Sequence, residues 1–263
     1  MSDLSPLASL TDLESVYLSE NEIINIQPLL NLTKLRNLDL EENQITDVAT
    51  LFFDLTELEK LRLDNNRIRS ISGVAEESKL KKLFLHDNNL SSLDLRGFPN
   101  VWDVSLENNE LSTINLDGFS GALIISAYNN NLTSTAGFKL SQKIHLGKLS
   151  LAENKISNIE GLRDLENLEI IDLRNNLVSD ITGLSNLPSL ETLSLYYNRL
   201  TNIDVLLKFD QLETVYLYGN PDLITNDDKT YDETFYPRSQ AREVIETLKS
   251  RGVMVSFEIV NPY

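Results

Sequence analysis

The chain of 263 residues has no cysteine, two histidines, two methionines and one tryptophan. Without cysteine there is no disulfide, no thiol nucleophile and no zinc–thiolate site. No run approaches the ~20 consecutive apolar residues of a membrane-spanning helix. The opening "MSDLSPLASL" has no basic segment leading into an apolar one, so it does not read as a signal peptide. The expectation is a cytoplasmic protein, or one whose targeting segment lies outside this sequence. There is no phosphate-cradling glycine loop, no H-E-x-x-H and no D-x-D-x-D-G calcium loop. Cations are also scarce: 23 Lys and Arg against 40 Asp and Glu give a formal charge of −17. Such a field disfavours nucleic acid and anionic lipid, and favours solubility or a basic partner.

What the chain has is repetition. "LESVYLSENEI" (13–23), "LRNLDLEENQI" (35–45), "LEKLRLDNNRI" (58–68) and "LETLSLYYNRL" (190–200) share one frame, L-x-x-L-x-L-x-x-N-x-I/L. Its asparagine recurs at Asn21, Asn43, Asn66, Asn88, Asn109, Asn130, Asn154, Asn176, Asn198 and Asn220, spaced 21 to 24 residues apart. In L-x-L, alternation along a short strand sends both leucines to one side and the residue between them to the other. The asparagine falls where the chain leaves the strand, and its amide can satisfy backbone groups that no sheet ladder reaches. Stacked copies predict an asparagine ladder. In "INIQPLLNLTKL" (24–35) apolar residues recur every three positions, which suits a 3-10 or irregular return and leaves no room for a full helix.

The pattern predicts an α/β leucine-rich-repeat solenoid, a horseshoe with a concave parallel sheet and convex 3-10 or irregular turns. Residues 1–220 form ten repeats, the first residues being a partial one. Residues 221–263 are expected to be a C-terminal helix–strand cap of the same domain. In that cap "PRSQAREVIETLKSRG" carries an apolar stripe at Ala241, Val244, Ile245 and Leu248, with Pro237 near its start and Gly252 past its end, and "VMVSFEIV" alternates as a strand. The convex segments in "DLSPLASLTDLESVYLSENEI" and "DITGLSNLPSLETLSLYYNRL" resemble the 22-residue repeats of bacterial internalins. They are also similar to those of the leucine-rich regulatory subunit of protein phosphatase 1. "LDLRGFPNV" and "INLDGFSGA" resemble a 21-residue bacterial variant instead.

The frame leaves the sheet-facing positions free, and there three zones stand out. Near the C-terminus, Tyr196 and Tyr218 are expected to be lateral neighbours, with Tyr216 beside Ser194, Tyr197 at the strand end and Arg174 one repeat earlier. In the middle, Ser105, Ser126, Ser150 and Ala152 form a floor bordered by Ile124, Tyr128 and Ile170. Towards the N-terminus, Lys60, Arg62, Lys82, Phe84 and His86 make a mixed basic–aromatic patch. Exposed tyrosines on a rigid sheet are good interface anchors, although aromatic residues also favour strands for packing reasons alone. His86 is expected between Asp64 and Glu107, with no serine or cysteine in a strained turn beside it, so no catalytic constellation is expected. The "NDD" at 226–228 with Asp232 and Glu233 reads as a solvated loop. No cofactor and no metal site is expected.

The resulting expectation is a non-enzymatic module that binds a protein through its concave face, without nucleic acid and without membrane insertion. The internalin resemblance implies bacterial adhesion or recognition, at the cell surface or secreted if the chain is a fragment. The phosphatase resemblance implies an intracellular scaffold. A structural spacer that self-associates through an open N-terminal edge, or glycan binding by the tyrosines, are the readings from other classes.

Overall fold

A computed structural model describes residues 1–71, 78–116, 123–138, 140, 145–223 and 239–257. They form two compact units, residues 1–131 with 137–146, and residues 132–136 with 147–263. Unit 1 contains β1 (Ser15–Tyr17), β2 (Asn37–Asp39), β3 (Lys60–Arg62), β4 (Lys82–Phe84), β5 (Ser92–Asp94), β6 (Asp103–Ser105), β7 (Thr113–Asn115) and β8 (Ile124–Ser126). Its main sheet runs β1-β2-β3-β4-β6-β8, every pair parallel and in register one repeat apart. Unit 2 holds β9 (Lys148–Ser150), β10 (Ile170–Asp172), β11 (Thr192–Ser194), β12 (Thr214–Tyr216) and β13 (Met254–Ser256), also parallel and in that order. The parallel-sheet solenoid expected from the repeat is what forms, and its strands fall on the L-x-L positions. Frame residues such as Leu38, Leu61, Leu83, Leu193 and Leu217 are buried, so the apolar side of each strand makes the core.

Repeat length sets how the chain returns. Several repeats of 22 residues return through 3-10 turns, as at Gln27–Leu29 and Asp204–Lys208. Between Asn43 and Asn66 there is one residue more, and the return there contains a single α-helical turn, α1 (Leu51–Asp54). An α turn rises about 1.5 Å per residue against about 2.0 Å for 3-10, so it absorbs the extra residue within the same span. The two repeats of 21 residues go the other way. Their returns contain β5 and β7, which pair in parallel as a second, two-stranded sheet. An extended chain covers about 3.3 Å per residue, so fewer residues suffice. The sequence marked these repeats as different in type but gave no warning of the strands.

The asparagines join one repeat to the next. In Asn43, Nδ2 donates to Leu18 O at 2.9 Å and Leu40 O at 3.1 Å, while Oδ1 accepts from Ile23 N at 2.9 Å. Asn176 does the same with Leu151 O, Leu173 O and Ile156 N. Each such amide therefore serves its own turn and the turn before it. The residue just before every ladder asparagine has positive φ, between 52° and 57° in nine repeats and 72° at Gly219.

At the C-terminal end of unit 2, α2 (Ser239–Ser250) buries Ala241, Val244, Ile245 and Leu248, the expected stripe. It packs on the Asp204–Lys208 turn and leads into β13, which pairs with β12. Pro237, the "NDD" loop and the end of "VMVSFEIV" lie outside the described residues.

Candidate functional site

In unit 2 the in-register stacking of β10, β11 and β12 brings one expected group together on the open face of the sheet. Strictly parallel pairing places residues one repeat apart side by side, so Tyr196 and Tyr218 stack with ring centroids 4.4 Å apart and planes 14° from parallel. Tyr216 meets Tyr196 edge-on at 6.5 Å. Tyr197 stands edge-on to both Tyr196 at 5.6 Å and Tyr218 at 5.4 Å. On the other side of Tyr196 lies Arg174, its guanidinium carbon 5.8 Å from the ring centroid and Nη1 3.3 Å from Asp172 Oδ2. Burial of Asp172 raises its carboxyl, against the Arg174 backbone N–H it accepts from and the guanidinium charge. Tyr218 is pushed up to about 12, by desolvation first and then by the neighbouring Tyr196 and Tyr197. It remains a neutral phenol at physiological pH, a donor and acceptor at the edge of an aromatic surface.

Tyr197 places a bulky ring where the backbone disfavours one. It occupies the left-handed position before the ladder asparagine, with φ of 53°, where the other repeats use Glu, Asn, Asp or Gly. For a bulky side chain that region costs roughly 1–2 kcal/mol. The residue is nonetheless 45% exposed. Gly219 makes the arrangement possible. A Cβ there would lie 2.3 Å from Tyr197 Cδ1, and the φ of 72° at Gly219 is one that glycine adopts freely.

In unit 1 the basic–aromatic patch is laced with carboxylates, which meet Arg62, Lys82 and His86. Arg62 is shared by three carboxylates, with Nη1 at 3.6 Å from Asp39, Nη2 at 2.7 Å from Glu41 and Nε at 3.2 Å from Asp64. Lys82 reaches Asp103 at 3.5 Å and lies over the Trp102 ring at 4.2 Å, while Lys60 lies 5.8 Å from the Phe84 ring. His86 sits between Asp64, 3.5 Å from Nε2, and Asp87, 3.2 Å from Nδ1. Long side chains reach along their own strand or across to the neighbouring one, and that reach is invisible to a row-by-row reading. Asp64 itself is fully buried, and burial pushes its carboxyl up to about 6 against the pull of His86 and Arg62.

In the third zone Ala152 departs from the expectation. Ser105 and Ser126 pair in register in unit 1, and Ser150 pairs with Asp172 in unit 2, but Ala152 is fully buried and offers no floor. Tyr128, two residues past β8, is half-buried. Glu107 accepts a hydrogen bond from Ser105 Oγ. Among the described residues no group of His, Asp or Glu is placed to hold a metal. Two depressions in unit 2, of about 350 and 370 Å³, lie among the return segments around Ser157–Ser185 and Leu184–Gln211, not at the tyrosines.

The left-handed row was missed by sequence reasoning. A signal for it exists, because the residue before each asparagine is Glu, Asn, Asp or Gly in nine repeats of ten, and Asn, Asp and Gly are the types that tolerate positive φ.

Leucine-rich-repeat family models match the chain at residues 33–76, 144–186 and 188–227 and at 56–111, together more than half of it. An internalin (InlF) of Listeria monocytogenes is similar in structure, with a TM-score of 0.59 and 25% identity over 84% of this chain and 71% of the internalin. The leucine-rich-repeat domain of APL1B superposes with a TM-score of 0.70 at 23% identity, covering 82% of this chain and 67% of that one. A leucine-rich-repeat protein of Leptospira interrogans has a TM-score of 0.58 at 18% identity over 96% of this chain and 74% of its own. No curated protein matches by sequence. With its ten framed repeats, its stacked parallel strands and these matches, the chain belongs to the leucine-rich-repeat proteins.

Proposed function

We propose that the chain is a protein-binding module that engages its partner with the open sheet face of unit 2, centred on Tyr196, Tyr197, Tyr216 and Tyr218. The observation that carries this reading is Tyr197, held at a φ of 53° yet 45% exposed. Strand preference accounts for an aromatic residue in a strand, but not for one kept in the left-handed region outside it. Tyrosines with few rotatable bonds, already packed against one another, lose little entropy on binding. Four tyrosine rings spread over neighbouring strands offer a broad contact surface of the kind a macromolecule uses. The similarity to a Listeria internalin supports a bacterial recognition role for this module. It is read as a binder rather than an enzyme because His86 is bracketed by two carboxylates with no nucleophile beside it among the described residues.

The test is capture of partners by the intact chain from host and bacterial lysates, identified by mass spectrometry and then measured with purified protein. The double variant Tyr216→Ala with Tyr218→Ala should lower affinity for such a partner by about 30-fold or more, as expected of central aromatic anchors. Its melting temperature should change little. Full affinity in that variant would place the binding surface elsewhere.

A further inference from the structure

One backbone position gives opposite charge patterns in the two units. It is the residue just before each strand of the sheet, held in lateral register by a backbone hydrogen bond to the next repeat. In unit 1 that row reads Glu14, Arg36, Glu59, Lys81, Trp102 and Leu123, its four charged members joined through Arg36 N to Glu14 O, Glu59 N to Arg36 O and Lys81 N to Glu59 O, each at 2.8 Å. Its charges alternate, and the side chains pair: Arg36 lies 3.9 Å from Glu14 and 3.3 Å from Glu59, and Lys81 lies 2.6 Å from Glu59. In unit 2 the same row reads Gly147, Glu169, Glu191, Glu213 and Val253, with the three glutamates adjacent and joined through Glu191 N to Glu169 O at 2.9 Å and Glu213 N to Glu191 O at 2.8 Å. All three are exposed, and none makes an ion pair among the described residues. Adjacent strands lie roughly 4.8 Å apart, so the backbone holds three like charges side by side, an arrangement that disfavours the free chain.

Neither the cation past β10 nor the one at the start of β9 pairs with these glutamates. Arg174 sits at the far end of the strand, past β10, tied to Asp172 and against Tyr196. Lys148 is exposed at the start of β9 and makes no ion pair with the glutamates. Between the glutamates and the tyrosines run Ile170, Thr192, Thr214 and Met254, the last 56% exposed. The face thus has a carboxylate rim, a short apolar and hydroxyl strip, and an aromatic floor.

We infer that this face takes a basic segment of a partner protein, its Lys or Arg head groups between Glu169, Glu191 and Glu213 and its side-chain stems against the strip and the tyrosines. Charge complementarity selects that occupant. An acidic or phosphorylated segment would meet the rim with like charge, and a wholly apolar one would leave three carboxylates unpaired at its border. Guanidinium and ammonium groups are also the ligands that tyrosine faces attract. The inference rests on the reading of the tyrosine face as the binding surface, and goes further by fixing the partner's chemistry.

Short random peptides displayed on phage and selected on the intact folded chain test it. Selected peptides should be enriched in Lys and Arg. Their affinity should fall by about tenfold on Glu169→Gln, Glu191→Gln, Glu213→Gln and by less than about twofold on the charge-matched control Glu22→Gln, Asp54→Asn, Glu110→Gln. Equal losses on the two triple variants would mean a general response to the charge of −17 and would overturn the inference. Neutral or acidic peptides that are lost on Tyr216→Ala with Tyr218→Ala would also overturn it, while leaving the tyrosine face as the binding surface. No enrichment, or peptides indifferent to both sets of residues, would overturn both. The Gln variants remove only repulsion from exposed positions, and their melting curves, unchanged or shifted upward, verify that they fold.

Discussion

Two residues carry strain or burial that the fold alone does not require, and each gives a measurable consequence. At Tyr197 two effects oppose: the left-handed backbone costs roughly 1–2 kcal/mol, and edge contacts to Tyr196 and Tyr218 return a comparable amount. Asparagine relieves the first and forgoes the second, so Tyr197→Asn should stay within about 1 kcal/mol of the parent in urea unfolding. Tyr197→Ala keeps the backbone strain and also loses the rings, so it should be the less stable of the two by about 1 kcal/mol. Equal stability of the two variants would show that the backbone at 197 is not strained. Asp64 is buried, with Arg62, His86 and Glu41 facing it, and its carboxyl is pushed up to about 6. An acid whose folded value lies above its unfolded one holds its proton more tightly when folded. The stability it contributes is therefore complete below about pH 4 and lost as the pH rises through about 6. Asp64→Asn removes that loss. Its stability relative to the parent should grow by an amount on the order of 2 kcal/mol between pH 4 and pH 8. A flat difference across that range would show that the folded carboxyl titrates normally.

At the scale of the element, the periodicity of 21 to 24 residues was enough to place the strands of the main sheet, because in-register parallel stacking makes sequence spacing and spatial neighbourhood the same thing. The same property made the stacking of Tyr196 on Tyr218 legible in the repeat spacing alone. Returns were harder. Whether the chain crosses back as 3-10, α or extended depends on how many residues must cover a fixed distance, and β5 and β7 follow from a deficit of one residue per repeat. Long side chains were hardest, since Arg62 chooses among Asp39, Glu41 and Asp64 by reach, not by register. The asparagine amides show how strongly neighbouring elements are tied. Asn176→Ala would leave Ile156 N buried without its partner, while Leu151 O and Leu173 O would each lose one of two asparagine donors and keep Asn154 and Asn198, at a cost of about 2 kcal/mol in total. Its urea midpoint should fall well below that of a substitution at an exposed polar position such as Gln211→Ala. Similar midpoints would mean that water replaces the amide at that turn.

For the whole chain, the excess of carboxylates is distributed by two different rules. In unit 1 the row before the strands alternates in sign, and Arg62 and Lys82 tie further acids to the sheet face. In unit 2 the corresponding row has three adjacent glutamates and no cation, and none of the three makes an ion pair among the described residues. Added salt screens both attraction and repulsion over a Debye length of about 8–10 Å near physiological ionic strength. Exposed ion pairs are individually worth little, so unit 1 should lose or gain almost nothing as salt rises. Unit 2 has unrelieved repulsion to lose and should become more stable. Amide hydrogen exchange resolved by segment, at low and at high sodium chloride, separates the two responses. Protection should rise over β10, β11 and β12 and stay level or fall over β2, β3 and β4. Replacing the three glutamates with glutamine should abolish the salt response of unit 2 and leave that of unit 1 intact. A uniform gain in protection across both units would instead assign the effect to the net charge of −17, not to where those charges are placed.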